Sequence, residues 1–577
     1  NHHQLTVEMS SDPVWYAVQA LPFLLNSNPD CPEQLFQQYY AHAMGKRIFD
    51  QQPNLVGQLK KWFPPGTTTP PSLLERNAEL KSIVLEETPW VAEAQSEKEQ
   101  FQQWTDFLQQ PSQRMQQQEE TLARLQQLQL ASGGFPWFAG GPEDRYITQS
   151  IVSGIARLIR MKAIDARGPQ LREMLQKSLS FLEKRAQEEY AEWKKRKQDT
   201  TLWVPSDLMI HYLYLRTLCE EAYPRSDRET LHPYYRKQAL RFWLKKGLLE
   251  KGRIALMAFR SGELRIAQEI LRSLEDNAIR DPKLGMYWKY PEGSGFYGSS
   301  STLETHALLC EAFAEIRQQP SLNAQLQQWL LKNKQTHHWP TRKASADACY
   351  VLLAYPGGAG NRSTTLQVKL GSKTVIDTRK EEALGYYKVS IPGNQIEPSL
   401  GKITLTASGD SGQTPFTAWG ALYWQYFTDL DKVTADSNPL QIRKEIFQEE
   451  NSPQGPVLKP LPEHTFLHVG DKITVRLTLR SDREVEYIHL KDQRAACLEP
   501  LQVLSGYNWK GGLGFYESTK DVSSHFYFPV IRKGTYTFEY SLFVTHSGTF
   551  QSGIATVESY YAPEFNNHSL SRKLWVE

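Results

Sequence analysis

Asp30-Cys31-Pro32-Glu33-Gln34, running into the helical pattern Leu35 to Met44, is the stretch from which the fold and chemistry of this chain are read. Aspartate and proline are helix-start signals, and Pro32 suits the first helical position because its missing N–H would go unpaired there anyway. Residues three apart on a helix face the same way, so the Cys31 thiol and the Gln34 side-chain amide can meet across one turn. Attack of the thiolate on that amide, with loss of ammonia, would close a small thioester ring. Such a bond stores reactivity, because sulfur donates poorly into the carbonyl and a thiolate leaves readily, the more so at a helix N-terminus. It would acylate an amine or hydroxyl once and release a free thiol, which is single-use trapping rather than turnover. The plain alternative is a helix-start cysteine whose neighbours are accidental.

Around this turn, from Pro13 to Tyr355, the pattern is overwhelmingly helical, with apolar residues at three- and four-residue spacing and Gln-, Lys- and Glu-rich opposite faces. Runs from Lys98 to Gln109, Gln113 to Gln129, Tyr146 to Ala163, Leu171 to Gln198 and Ser301 to Ile316 are read as helices. Aromatic turns such as Gly133-Gly134-Phe135-Pro136-Trp137-Phe138 and Gly285-Met286-Tyr287-Trp288 precede apolar helices, which suggests repeated helical hairpins closing into an alpha/alpha toroid. Trp137 and Trp288 are read as hairpin-corner fillers, with a sugar-binding cleft as the sharper alternative.

After Tyr355 the composition changes. Thr365 to Leu370, Thr374 to Asp377, Tyr386 to Ile391, Lys402 to Ala407 and the aromatic run Thr417 to Thr428 read as strands of a modest beta unit. A second all-beta region follows, with strands over Thr465–Val469, Lys472–Ser481, Val485–Lys491, His525–Val530, Gly534–Val544 and Gly553–Tyr561, enough for a beta-sandwich.

At 577 residues the chain is too long for one core. Lysine plus arginine, 66, nearly balances aspartate plus glutamate, 64, so no global field draws it to nucleic acid or an anionic membrane. No stretch approaches the roughly 20 apolar residues needed to span a bilayer. The opening Asn1 to Met9 has no signal-peptide pattern and starts abruptly, as an excised piece of a longer chain would. Cysteines at 31, 219, 310, 349 and 497 are an odd number without CxxC pairs, so neither a disulfide framework nor a zinc site is expected, and no metal or cofactor. Cys219, Cys310 and Cys349 sit in apolar helical patterns and read as buried inert thiols.

Cys31-Pro32-Glu33-Gln34 resembles the thioester signature of alpha-2-macroglobulins and of complement components three and four, where the cysteine and glutamine are the linked pair. The flanks Trp15 to Pro22 and Tyr39-Tyr40-Ala41 are similar to those of bacterial members. So are Gly133 to Phe138 with Gly140-Gly141 and Arg145 to Thr148, Thr341 to Tyr350, and the ending Tyr560 to Phe565. The resemblance covers essentially the whole chain and is closest to members from Bacteroidetes-type bacteria. It implies a helical thioester domain, 13–355, inserted into a CUB-like beta domain made of 1–12 and 356–436, with a macroglobulin-like, receptor-binding-type sandwich at 437–577. It further implies a C-terminal part of a broad-spectrum protease inhibitor. In such a protein, cleavage of an upstream bait exposes the thioester of Cys31 and Gln34 to target lysines.

By the same resemblance the location is the periplasm or cell envelope, with a lipoprotein anchor, if any, outside this piece, and a cell-wall synthase as a further partner. Two features depart from the family pattern. No histidine can be matched to the complement residue that redirects the thioester to hydroxyls: His211, His306, His337 and His338 read as surface or satisfied core residues, which leaves amines favoured. The stretch Asn26 to Asp30 lacks the shielding tyrosine of bacterial relatives, so Tyr560 and Tyr561 are the candidate shield, against their reading as ordinary strand aromatics. Three rival functions remain. One is a toroid-type glycan-processing enzyme, for which no carboxylate pair stands out: Glu143-Asp144 reads as a solvated turn and Glu220-Glu221 as a charged helix edge. The others are a cysteine hydrolase using Cys31, and a structural or envelope module whose thioester does not function.

Overall fold

The computed structural model describes residues 2–10, 14–25, 31–51, 111–196, 199–225, 231–282, 284–289, 302–334, 338–339, 341–355, 365–377, 386–408, 419–429, 433, 440–453, 455–482, 485–501, 504, 506–559 and 566–577. Buried apolar side chains gather into three separate clusters, one helical and two beta. The helix read over Lys98 to Gln109 lies outside the described residues.

Twelve α-helices occur among the described residues: α1 (Val14–Leu25), α2 (Pro32–Gln51), α3 (Pro111–Leu128), α4 (Arg145–Arg160), α5 (Pro169–Arg196), α6 (Asp207–Cys219), α7 (His232–Arg241), α8 (Leu248–Arg260), α9 (Leu264–Asp276), α10 (Thr302–Ile316), α11 (Pro320–Lys332) and α12 (Arg342–Ala354). Several start where a side-chain oxygen caps the first turn. Asp144, Ser206 and Thr341 accept from the N–H groups of Ile147, Met209 and Ala344. Even-numbered helices pack in order, α2 on α4, α4 on α6, α6 on α8, α8 on α10, α10 on α12, and α12 back on α2, so six helices form a closed ring. Each odd-numbered helix lies against one or two of these. Burial separates the two sets. On α10 nearly every side chain from Leu303 to Ile316 is buried, whereas α9 buries only Ala267, Ile270, Leu271 and Leu274 and leaves a polar face outward. Gly154 on α4 permits close contact with α2: a Cβ there would stand 2.4 Å from the Phe36 ring.

The chain's first strand, His2–Ser10, lies between two strands from far along the sequence, Tyr386–Pro392 and Trp419–Tyr426, antiparallel to both. A second three-stranded sheet, Lys373–Asp377, Thr365–Leu370 and Ile403–Ser408, completes this unit. Its core is built from Leu5, Val7, Val368, Ile376 and Ile391 among others.

From Leu440 onward two large sheets enclose one core, to which a small three-stranded sheet of Phe466–Leu467, Lys573–Val576 and Gly548–Gln551 adds Leu467, Leu574 and Val576. A five-stranded sheet is ordered Gly455–Pro460, Leu440–Ser452, Lys472–Ser481, Gly534–Val544, Leu498–Pro500. A six-stranded sheet is ordered Gly506–Lys510, Leu513–Lys520, Ser523–Ile531, Val485–Gln493, Ala555–Ser559, Asn566–His568. Alternation drives the packing: Ile473, Val475, Leu477 and Leu479 from the first sheet meet Ile488, Leu490, Phe526 and Phe528 from the second.

Candidate functional site

Cys31 is the N-cap of α2. The Leu35 N–H donates to the Cys31 carbonyl at 2.9 Å, Pro32 occupies the first helical position, and Gln34 the third. These are the two positions that exchange hydrogen bonds in a capping box, where the side chain of the third residue reaches back to the cap. Cys31 and Gln34 are both half-buried. Glu33 faces the positive end of the helix, accepts from Gln37 Nε2 at 2.8 Å, and attracts the Arg342 guanidinium.

An aromatic turn stands over the cap. The Cys31 thiol donates to the backbone carbonyl of Trp137 at 3.5 Å. The turn is fixed from both ends: Gly133 has φ +90° and backs onto the Lys177 carbonyl, where a Cβ would come within 2.3 Å. Phe135 is buried and its N–H donates to Thr148 Oγ1 at 2.9 Å, and Phe135–Pro136 pairs with Glu143–Asp144. Glu143-Asp144 is thus not a solvated turn. Asp144 caps α4 and Glu143 pairs with Arg185 at 2.7 Å. The Trp137 ring stacks near Tyr146, with centroids 6.4 Å apart, while Trp137 and Phe138 remain 52% and 59% exposed. The sequence treated this turn as a hairpin corner. The signal available was a pair of aromatics in a glycine-flanked loop, but nothing in the sequence ties them to Cys31.

Tyr560 and Tyr561 lie outside the described residues, as does His337. Among the described residues no histidine is hydrogen-bonded to Cys31. His211 shares a hydrogen bond of 3.0 Å with Ser153, His306 donates through Nε2 to the Leu326 carbonyl at 2.8 Å, and His338 stacks on Phe23 at 3.6 Å. The other four cysteines are buried and unpaired in disulfides; burial pushes the Cys219 and Cys349 thiols up to about 12, Cys497 up to about 11, and Cys310 up as well. Cys31 alone is partly accessible.

The middle of the helical ring holds a second constellation. Glu311 on α10 is fully buried and accepts from Arg157 at 2.9 Å, Arg260 at 2.7 Å and the Tyr214 hydroxyl at 2.9 Å. Asp347 on α12 accepts from Arg157 at 2.5 Å and Lys343 at 2.7 Å. Burial would raise the Asp347 carboxyl, yet the Lys343 and Arg157 charges hold it below the usual carboxylate range. Glu315 behaves likewise between Arg260 and Arg160. Asp347 and Glu315 are therefore ionised structural partners, unsuited to donate a proton as a glycosidase acid must, and Glu311 is taken up by its three donors. Among the described residues no cluster of histidine, cysteine and carboxylate side chains suits a metal ion.

Residues 440–564 match the family model of the bacterial alpha-2-macroglobulin MG10 domain. Similar solved structures include native Escherichia coli alpha-2-macroglobulin from domain MG7 to the C-terminus, at 13% identity and TM-score 0.38, covering 100% of this chain and 78% of that one. Trypsin-activated Escherichia coli alpha-2-macroglobulin is similar at 13% identity and TM-score 0.46, covering 100% and 34%. Salmonella alpha-2-macroglobulin reacted with methylamine is similar at 17% identity and TM-score 0.36, covering 99% and 31%. The chain thus spans about a third of the length of the latter two. No protein of curated function matches it.

Proposed function

We propose that the chain, whose residues 440–564 match the bacterial alpha-2-macroglobulin MG10 domain, is the thioester-bearing C-terminal part of a protease trap of that family. The observation that carries the proposal is the placement of Cys31 at the N-cap and Gln34 at the third position of α2, beneath the Trp137 carbonyl. In the proposed chemistry the Cys31 thiolate attacks the Gln34 amide carbon. A C–S bond forms, the C–N bond breaks, and the amide nitrogen leaves as ammonia by taking up the proton that the Cys31 thiol gave up. A lysine amine of an attacking protease then displaces sulfur, giving an amide through Gln34 and a restored thiol at Cys31. Such a device acts once per molecule and inhibits rather than turns over.

The closed ring of six helices supports reading the helical part as an alpha/alpha toroid, with the sheet containing His2–Ser10 as a CUB-like unit into which it is inserted. The proposed divisions are 1–12 with 356–436 for that unit, 13–355 for the thioester domain and 437–577 for the last domain. Bait cleavage as the trigger, proteases as broad targets, a periplasmic or envelope location with any lipid anchor elsewhere, and a cell-wall synthase partner are proposed from the family alone. A glycan-processing activity is disfavoured because Glu311, Glu315 and Asp347 are ion-paired.

Intact mass and methylamine treatment test the central step on this chain. A formed thioester makes the protein lighter by one ammonia, and methylamine then adds covalently and frees one titratable thiol. Gln34→Ala abolishes both signals. A wild-type chain of full unmodified mass that ignores methylamine would end the proposal. Covalent capture of a protease is a separate assay and needs a longer chain that carries a bait.

A further inference from the structure

All six inner helices line a polar cavity of about 40 Å3 at the centre of the ring, through Gln37, Ser153, His211, Arg253, Glu304 and Lys343. Its charges are unevenly settled. Of the lining cations, Arg157 is paired with Glu311 and Asp347, and Lys343 with Asp347 and, more loosely, Glu304. Arg253 is not so served. Among the described residues its one ion pair is a 3.8 Å approach to Glu250, and its Nε has no hydrogen-bond partner. Burial lowers the Arg253 guanidinium and raises the Glu250 carboxyl, so the two compensate each other poorly.

His211 adds a second unmet group. Its Nε2 shares the hydrogen bond with Ser153, and its Nδ1 has no partner. Burial first, then the charges of Arg253, Lys343, Arg157 and Arg145, keep this imidazole neutral. A neutral ring that accepts from the Ser153 hydroxyl through Nε2 carries its proton on Nδ1 and is a donor there. A largely buried cation whose nearest counter-ion stands 3.8 Å away, beside an unused donor and among other cations, is an unfavourable arrangement that a bound anion relieves.

We propose that the cavity binds a small planar oxyanion, a carboxylate or bicarbonate, held by the Arg253 guanidinium and by His211 Nδ1–H. The space suits it, being what about three waters occupy. A trigonal oxyanion matches the guanidinium fork with two parallel hydrogen bonds. Gln37 refines the choice: its Oε1 is a buried acceptor without a partner, which a bicarbonate hydroxyl, or a water carried with a carboxylate, would satisfy. Gln37 also donates to Glu33 in the turn between Cys31 and Gln34, so the bound ion braces the helix that carries that turn. The site stands whether or not the thioester forms.

Thermal unfolding of the full chain with sodium bicarbonate, formate or acetate, against sodium chloride at equal ionic strength, tests this. A saturable rise in Tm of about 2–4 °C with at least one of these oxyanions, absent with chloride and absent in Arg253→Gln, is expected. Equal effects of chloride, or an undiminished rise in Arg253→Gln, would overturn it. If that variant does not fold, crystals of the unaltered chain soaked in formate decide the matter: a planar three-atom density beside Arg253 supports the site, and separate water peaks refute it.

Discussion

The Cys31 sulfur lies 3.5 Å from the carbonyl oxygen of Trp137, 106 residues away in sequence. The turn that carries Cys31 and the aromatic turn are therefore one local structure, and the second depends on Gly133, whose φ of +90° and close approach to Lys177 leave no room for a side chain. Gly133→Ala should cost about 2 kcal/mol or more in urea denaturation. If the thioester forms, the same change should hasten its spontaneous loss, read as the rate at which the Cys31 thiol becomes titratable in plain buffer.

Gly154 and Phe36 form a matched pair between α4 and α2. Adding a methyl at 154 drives into the ring, so Gly154→Ala should lower stability by about 1–3 kcal/mol. The double variant with Phe36→Leu should recover part of that loss. A loss that is additive across the pair would show that the contact does not set the spacing of these helices.

Glu311 answers three donors at once, from Arg157, Arg260 and Tyr214. Its removal takes one of two carboxylate partners from each of two buried guanidinium groups, leaving Arg157 with Asp347 and Arg260 with Glu315, and Glu311→Ala should cost about 3 kcal/mol by chemical denaturation. Glu173→Ala breaks only the exposed pair with Lys177 and should cost under about 1 kcal/mol. Similar losses for both would contradict the electrostatic account.

His306 and His338 are each pushed down from 6.5 to about 4 by burial. In the unfolded chain both take up protons as pH falls through 6.5, while the folded chain resists until about 4. The unfolded state thus binds more protons across that window, and the contribution of these rings to stability should decline from pH 6.5 to about 4 and level off below, by on the order of 3 kcal/mol for each ring. His306→Gln should make the decline shallower in denaturation midpoints measured against pH. An unchanged slope would remove His306 from the explanation.

Strong periodicity made much of this structure legible. The strands Lys472–Ser481 and Gly534–Val544 lie where alternation puts them, and α4 and α5 follow their apolar stripes. Leu440–Ser452 escaped notice because Arg443, Lys444 and Glu445 interrupt the alternation between Ile442 and Ile446. Leu513–Lys520 escaped because Glu517 and Ser518 are buried despite their polarity. At the candidate site, the spacing of Cys31 and Gln34 could be read from one turn of sequence. The Trp137 carbonyl could not, since a backbone oxygen leaves no mark in composition. The ion pairs inside the ring were equally hidden, because Arg157 meets Glu311 and Asp347 across 154 and 190 residues and each looks, in its own helix, like an ordinary charge.

The first strand of the chain has a particular fate during synthesis. His2–Ser10 leaves the ribosome before anything it pairs with, and its neighbours at Tyr386–Pro392 and Trp419–Tyr426 follow only after the whole helical ring has emerged. Helices with local partners close quickly, while a sheet joining distant segments waits for its last member. The ring therefore has time to assemble as a guest before its host exists, and the returning strands act as a clasp that fastens both ends of the guest in one sheet. A nick within the ring would leave both fragments held by that clasp, so proteolysis there should release nothing until the sheet itself opens.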